Sequence, residues 1–313
     1  MTPDPTPARA GRTLALYLAG VLVLGILTGV AVVWLVPLAS DSFAAAVLRK
    51  GPDTVVKRAL QVWAVLLLPY LFKGLGWRGW RDIGLFPEEA AVEHGHSLRR
   101  LFQGFLLGVA TMGPMALAGY ALGARVVTAG RVASASVRLL AGYALSAVVV
   151  GAFEEILARG ILFRVPARIW GARRAAIVGG LLFGVAHFLD PAEAAFRSPS
   201  FVPAVLAVLK STFVEIGRTP DLLLRWLNLA LLGIVLCAFV LRTGTIWFSI
   251  GAHAGWVWCI RVSQRLSESR PAAASWWGYR ADATDSPATA VLLLLLLAGA
   301  LWGRRRRRGG AAS

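Results

Sequence analysis

Side chains able to move protons or hold charge lie inside apolar stretches of this 313-residue sequence. The segment 141–163 reads AGYALSAVVVGAFEEILARGILF and carries Glu154, Glu155 and Arg159. On a helix, Glu155 and Arg159 are i,i+4 neighbours with the acid first, so they can neutralise one another, while Glu154 points about 100° away from that pair. The next apolar run contains Phe183 and His187, one helical turn apart. The run 243–260, TGTIWFSIGAHAGWVWCI, places His253 far from both of its ends. An ionisable group deep in an apolar helix costs roughly 2.5–3.5 kcal/mol on insertion scales, so each of these residues needs a partner or a function.

The chemistry open to these groups is limited. Glu154 can act as a general base on water, His187 can share that water and pass a proton to a leaving amine, and His253 can donate a hydrogen bond to an oxyanion. Together these steps describe hydrolysis of an amide inside a membrane, with water as the only small molecule required. A zinc ion held by Glu154, His187 and His253 is the alternative use of the same groups. No His-Glu-x-x-His helix is present to support it. Each residue also has a plain structural use: Glu155 and Arg159 as a pair fixing helix register, each histidine bonded to a neighbouring helix, and the surrounding Phe and Trp as packing. Their desolvation costs add, however, whereas a single cluster satisfies them all.

The elements that must position these groups follow from composition. Hydrophobic residues make up 57% of the chain and charged ones 16%, against roughly 45–50% and about 25% for soluble domains. Lys and Arg number 33 against 16 Asp and Glu, a net +17, while mean hydropathy is +0.66. A polytopic membrane protein reconciles oiliness with basicity, because Lys and Arg collect in loops and Trp and Phe at the headgroups. Nucleic-acid binding is not the expected reading of this charge. Cys237 and Cys259 lie in apolar runs without metal-type spacing and form no disulfide framework. The predicted fold is an all-α membrane bundle of about eight transmembrane helices, near 13–38, 59–76, 101–124, 139–163, 174–189, 222–241, 244–262 and 288–302. The first apolar stretch, Thr13 to Leu38, is far longer than the core of a signal peptide and reads as a retained span. The run 201–216, broken by Lys210 and Glu215, reads as interfacial or re-entrant. Eight crossings put the Arg-rich loops 73–100 and 164–174 and the run Arg304 to Arg308 in the cytoplasm. They also put Arg49, Lys50, Lys57 and Arg58 outside, against the rule. The scattered glycines predict close helix packing through small residues.

At the polar positions the sequence resembles the family of membrane proteases that groups type II CAAX prenyl endopeptidases with bacteriocin-processing and self-immunity enzymes. The resemblance rests on EExxxR at Glu154 to Arg159, FxxxH at Phe183 to His187, and the third-motif histidine at His253, over about residues 139–262. It implies a glutamic-type intramembrane endopeptidase in which Glu154 and His187 activate water and His253 helps hold the oxyanion. Glu155 and Arg159 would support the catalytic helix. One position departs from the pattern: the family usually has Asn or Asp four residues beyond the third-motif histidine, where this chain has Val257. Valine cannot donate, so the oxyanion would rely on His253, a backbone N–H, or the indole N–H of Trp256 or Trp258.

The chain is accordingly divided into N-terminal membrane helices with an interfacial loop (1–138), a catalytic helical core (139–262), and a linker, last span and basic tail (263–313). The expected substrate is a membrane-associated peptide or protein segment cleaved near its exposed end. The expected setting, from Ala-, Arg-, Gly- and Leu-rich composition, is a bacterial inner membrane. In the segment 77–98, Trp77, Trp80 and Phe86 are expected to dip into headgroups. Glu93-His94-Gly95-His96 reads as a solvated loop rather than a metal site. A catalytically inactive scaffold and a proton-coupled transporter are the rival readings. The second should carry inverted repeats, which are not seen.

Overall fold

The structure is a computed structural model that describes residues 6–38, 40–49, 51–85, 95–188, 200–214, 220–270 and 283–309. The chain is a polytopic helical membrane protein. By length and composition, five stretches among the described residues can cross a bilayer: Pro7–Leu35, Pro52–Leu75, His96–Ala121, Val137–Trp170 and Leu222–Thr243. The other three expected spans also form helices but fall short, each for its own reason. The helix over 172–186 has 15 residues, about three quarters of the rise a bilayer core needs, and the apolar part of the last helix, Pro287–Trp302, is also short. The helix carrying His253 has 20 residues, but its His, Trp, Gln and Arg content keeps it from being a uniformly apolar span.

The helices fall into two compact units. In the first, made of Met1–Gly79 and Val185–Thr219, α1 (Pro7–Leu35) starts at Thr6, whose hydroxyl accepts the Arg9 N–H, with Pro7 in the first turn. Next come α2 (Asp41–Leu48), α3 (Pro52–Leu66) and α4 (Leu68–Leu75), and α4 stops at Gly76 with φ +66°. Gly25 and Gly29 let α1 lie against the backbone of Leu60 and Val56, and the Tyr17 hydroxyl donates to the Ala64 carbonyl at 2.7 Å. The run read as interfacial becomes α10 (Phe201–Val214). Its Ala204 and Val208 are buried with Ile26, Val30 and Val56, and its apolar part, Phe201–Lys210, is too short to cross. Glu215 lies outside the described residues. Trp77 does not dip into headgroups: it is buried, its ring edge-on to Phe72 at 5.6 Å.

The second unit, Trp80–Gly184 with Pro220–Ser313, contains α5 (Gly95–Ala121), a short α6 (Ala129–Ala133) and α7 (Val137–Glu155). A π-helical stretch, Ile156–Phe163, continues α7 into α8 (Arg164–Trp170), followed by α9 (Ala172–Ala186), whose residues through Gly184 belong to this unit. The rest is α11 (Pro220–Thr243), α12 (Trp247–Leu266) and α13 (Pro287–Gly309). A two-stranded antiparallel ribbon pairs β1 (Arg125–Val127) with β2 (Ser267–Ser269) and so ties the ends of α5 and α12 together.

These two helices run side by side through reciprocal glycines. A Cβ on Gly104 would collide with the Phe248 carbonyl oxygen, and one on Gly251 with that of Leu101. On Gly108 and Gly255 it would stand 2.5 Å from the carbonyl oxygens of Ala252 and Phe105. Such proximity is reached only where side chains are absent. Polar contacts complete the seating of α12: the Trp256 indole donates to Thr111 Oγ1 at 2.8 Å, the Trp258 indole to the Leu140 carbonyl at 3.0 Å, and the Tyr120 hydroxyl to Ser263 Oγ at 2.9 Å. Gly251→Ala is expected to destabilise the protein by about 1–3 kcal/mol, because the added methyl meets backbone that cannot swing aside. Thermal unfolding in a fixed detergent should show a lower midpoint, whereas Gly130→Ala, where a Cβ meets nothing, should leave it unchanged.

Candidate active site

Two helices packed face to face, α7 and α12, bring the charged groups of the second unit together. Gly151 permits the approach, since a Cβ there would lie 3.3 Å from the Ile250 carbonyl oxygen. Immediately after Gly151 the chain presents Glu154 and Glu155 and passes into the π-helical stretch that holds Arg159. Wide turns of this kind often mark functional sites.

Glu155 and Arg159 form the ion pair that their spacing predicts, with Glu155 Oε1 2.6 Å from Arg159 Nη1. Their side chains are 0% and 1% exposed. The guanidinium also donates through Nη2 to the Gly233 carbonyl at 3.1 Å, and its carbon stands 4.4 Å over the Phe183 ring. Phe183 in turn meets the His253 ring edge-on at 6.0 Å. Phe183 therefore touches both the arginine and the imidazole, and a cation–π contact in such a desolvated place is worth about 2 kcal/mol.

The same oxygen, Glu155 Oε1, lies 3.1 Å from His253 Nδ1. A carboxylate held by arginine is an acceptor only, so the imidazole must donate and Nδ1 carries the proton. The other ring nitrogen, Nε2, then faces Glu154, with Glu154 Oε2 at 3.7 Å. That separation is long for a direct hydrogen bond and suits a shared water. Of the four charged or imidazole groups, Glu154 alone is appreciably open, with a side chain 30% exposed against at most 5% for Glu155, Arg159 and His253.

The residues singled out in the sequence are placed as follows. Glu154, Glu155, Arg159, Phe183 and His253 lie in one connected group. His187 follows α9 in a turn, one residue beyond its last helical position, and belongs to the first unit. The Trp256 and Trp258 indole N–H groups donate to Thr111 Oγ1 and the Leu140 carbonyl, so neither is aimed at an oxyanion here. The close approach of His253 to Glu155 was not visible in the sequence, whose spacing describes one helix at a time. Among the described residues no group of three His, Cys, Asp or Glu side chains could hold a metal ion. With Nδ1 of His253 turned to Glu155, Nε2 is the ring nitrogen that faces Glu154. His96 lies between Arg99 and Arg100, each 3.4 Å from a ring nitrogen, while Phe86, Glu93 and His94 lie outside the described residues.

Residues 136–259 match the family model described as type II CAAX prenyl endopeptidase Rce1-like. The matched segment, 124 of the 313 residues, resembles that family. It contains all three stretches on which the resemblance rests, and its lower bound is the N-cap of α7, where Ser136 Oγ accepts the Leu139 N–H. No curated protein and no solved structure matches the chain significantly. The Rce1-like family implies a membrane protease, a hydrolase, and with it an integral membrane protein.

Proposed function

We propose that the chain is an intramembrane endopeptidase that hydrolyses a peptide bond near the exposed end of a membrane-associated peptide or protein, in a bacterial inner membrane. Glu154 takes a proton from a water held between its carboxylate and His253 Nε2, and the resulting hydroxide attacks the peptide carbonyl. When its ring is protonated, His253 presents Nε2–H to the oxyanion, and the Glu155–Arg159 pair keeps the ring turned that way. The proton that Glu154 takes from water ends on the leaving amine, a delivery assigned to His187 by its FxxxH spacing alone, so the products are a carboxylate and an amine and no covalent enzyme intermediate is needed. The observation that carries this reading is the partly exposed Glu154 side chain, whose buried Oε2 stands opposite the Nε2 of an imidazole with its far nitrogen fixed by a buried carboxylate.

The purified chain in lipid nanodiscs, given a terminally labelled membrane peptide, should release a fragment with one new terminus, identified by mass spectrometry. Thorough chelation should leave the rate within about twofold, since water is the only required reactant. Absence of cleavage across a library of such peptides would overturn the proposal, and complete loss on chelation with recovery on zinc would overturn its metal-free form.

A further inference from the structure

The turn Trp80–Leu85 contributes no group to the cluster above, yet it grips both elements that carry it. Ile83 is 0% exposed and lies against Gly160, where an added Cβ would be 3.0 Å from the Ile83 Cβ. Gly84 turns the chain with φ +83° and is covered by the Arg164 guanidinium. On the other side, the Gly84 carbonyl accepts the Ile246 N–H at 3.2 Å and the Thr245 hydroxyl at 3.3 Å, and the Leu85 carbonyl accepts the Trp247 indole N–H at 2.8 Å. Gly160 comes six residues after Glu154, within the π-helical stretch, and Trp247 comes six before His253, about 9 Å along α12.

We infer that this turn is a positioning clamp, with Ile83 as its wedge, that sets the gap between the Glu154 carboxylate and His253 Nε2. The inference deepens the protease reading and rests on it for its effect on rate. Its geometry is testable without turnover. Ile83→Ala keeps the Cβ nearest Gly160 but removes the rest of a fully buried side chain, including the Cγ2 that also faces Gly160, whereas Ile83→Val keeps the β-branched stem. The two variants, the unsubstituted protein and Glu154→Gln would be compared in nanodiscs by kcat and KM on a labelled membrane peptide, by thermal midpoint, and by the ring nitrogen resonances of His253 in 15N-histidine-labelled protein.

Ile83→Ala should displace the His253 resonances and lower kcat about tenfold with KM within twofold, and Ile83→Val should restore most of both. His253 resonances unchanged in folded Ile83→Ala would overturn the clamp, whatever the rate. Displaced resonances in a protein that never cleaves would sink the protease reading and leave the clamp standing.

Discussion

Glu154→Gln should lower kcat by about 10²–10⁴, the range expected when a general base is removed, while the thermal midpoint stays within about 2 °C. The two effects separate because of where the side chain stands. Glu154 is partly open and does not take part in the Arg159 ion pair, so an isosteric amide there disturbs no fully buried charge. Glutamine cannot accept the proton of water, so the hydroxide is not formed even if substrate binds as before. KM should accordingly change little, which distinguishes loss of chemistry from loss of binding. Kinetics on protein matched for folded fraction by size-exclusion profile and unfolding midpoint would check both halves.

Glu155→Gln should behave in the opposite sense and destabilise the protein by about 3–5 kcal/mol, the cost of leaving one member of a buried ion pair uncompensated. Arg159 is 1% exposed and, without the Glu155 charge, is left with uncharged neighbours such as the Gly233 carbonyl, the Cys237 thiol and the face of Phe183. The midpoint should fall by many degrees, and the surviving folded protein should also be slower, because the imidazole loses the acceptor that fixes Nδ1–H and aims Nε2 at Glu154. A second variant, Glu155→Gln with Arg159→Met, removes the orphaned charge. It should recover much of the stability without recovering the rate. Recovery of both would mean that Glu155 has no part in orienting His253.

Much of this site was legible in the sequence, for a physical reason: spacing along a helix fixes which side chains share a face. The i,i+4 ion pair follows from Glu155 and Arg159 alone, and the desolvation cost of the histidines marks them inside apolar runs. Contacts between helices are another matter, because they depend on how each helix is rotated toward its neighbour. The meeting of His253 Nδ1 with Glu155, and the spending of the Trp256 and Trp258 indoles on Thr111 and Leu140, are of this kind. The expectation of small-residue packing was general. That Gly104 and Gly108 pair with the stretch from Phe248 to Gly255 is set by the seating of α12 on α5. Trp77 and Ile83 show the same limit, since a Trp- and Arg-rich segment reads as a membrane surface while the fold buries both side chains. Length and apolarity alone mark five crossing stretches among the described residues; α12, diluted by polar residues of the site, and α9, with 15 residues, are helices that such a measure does not mark.

The central claim is that Glu154 and His253 act on one water as a unit, and a double-mutant cycle on kcat tests it most directly. Glu154→Gln, His253→Gln and the combined variant, each purified folded and assayed on the same membrane peptide, should show non-additive losses. The pair should lose no more than about the larger of the two single losses. Losses that multiply across the two sites, or cleavage undiminished in Glu154→Gln, would contradict the account.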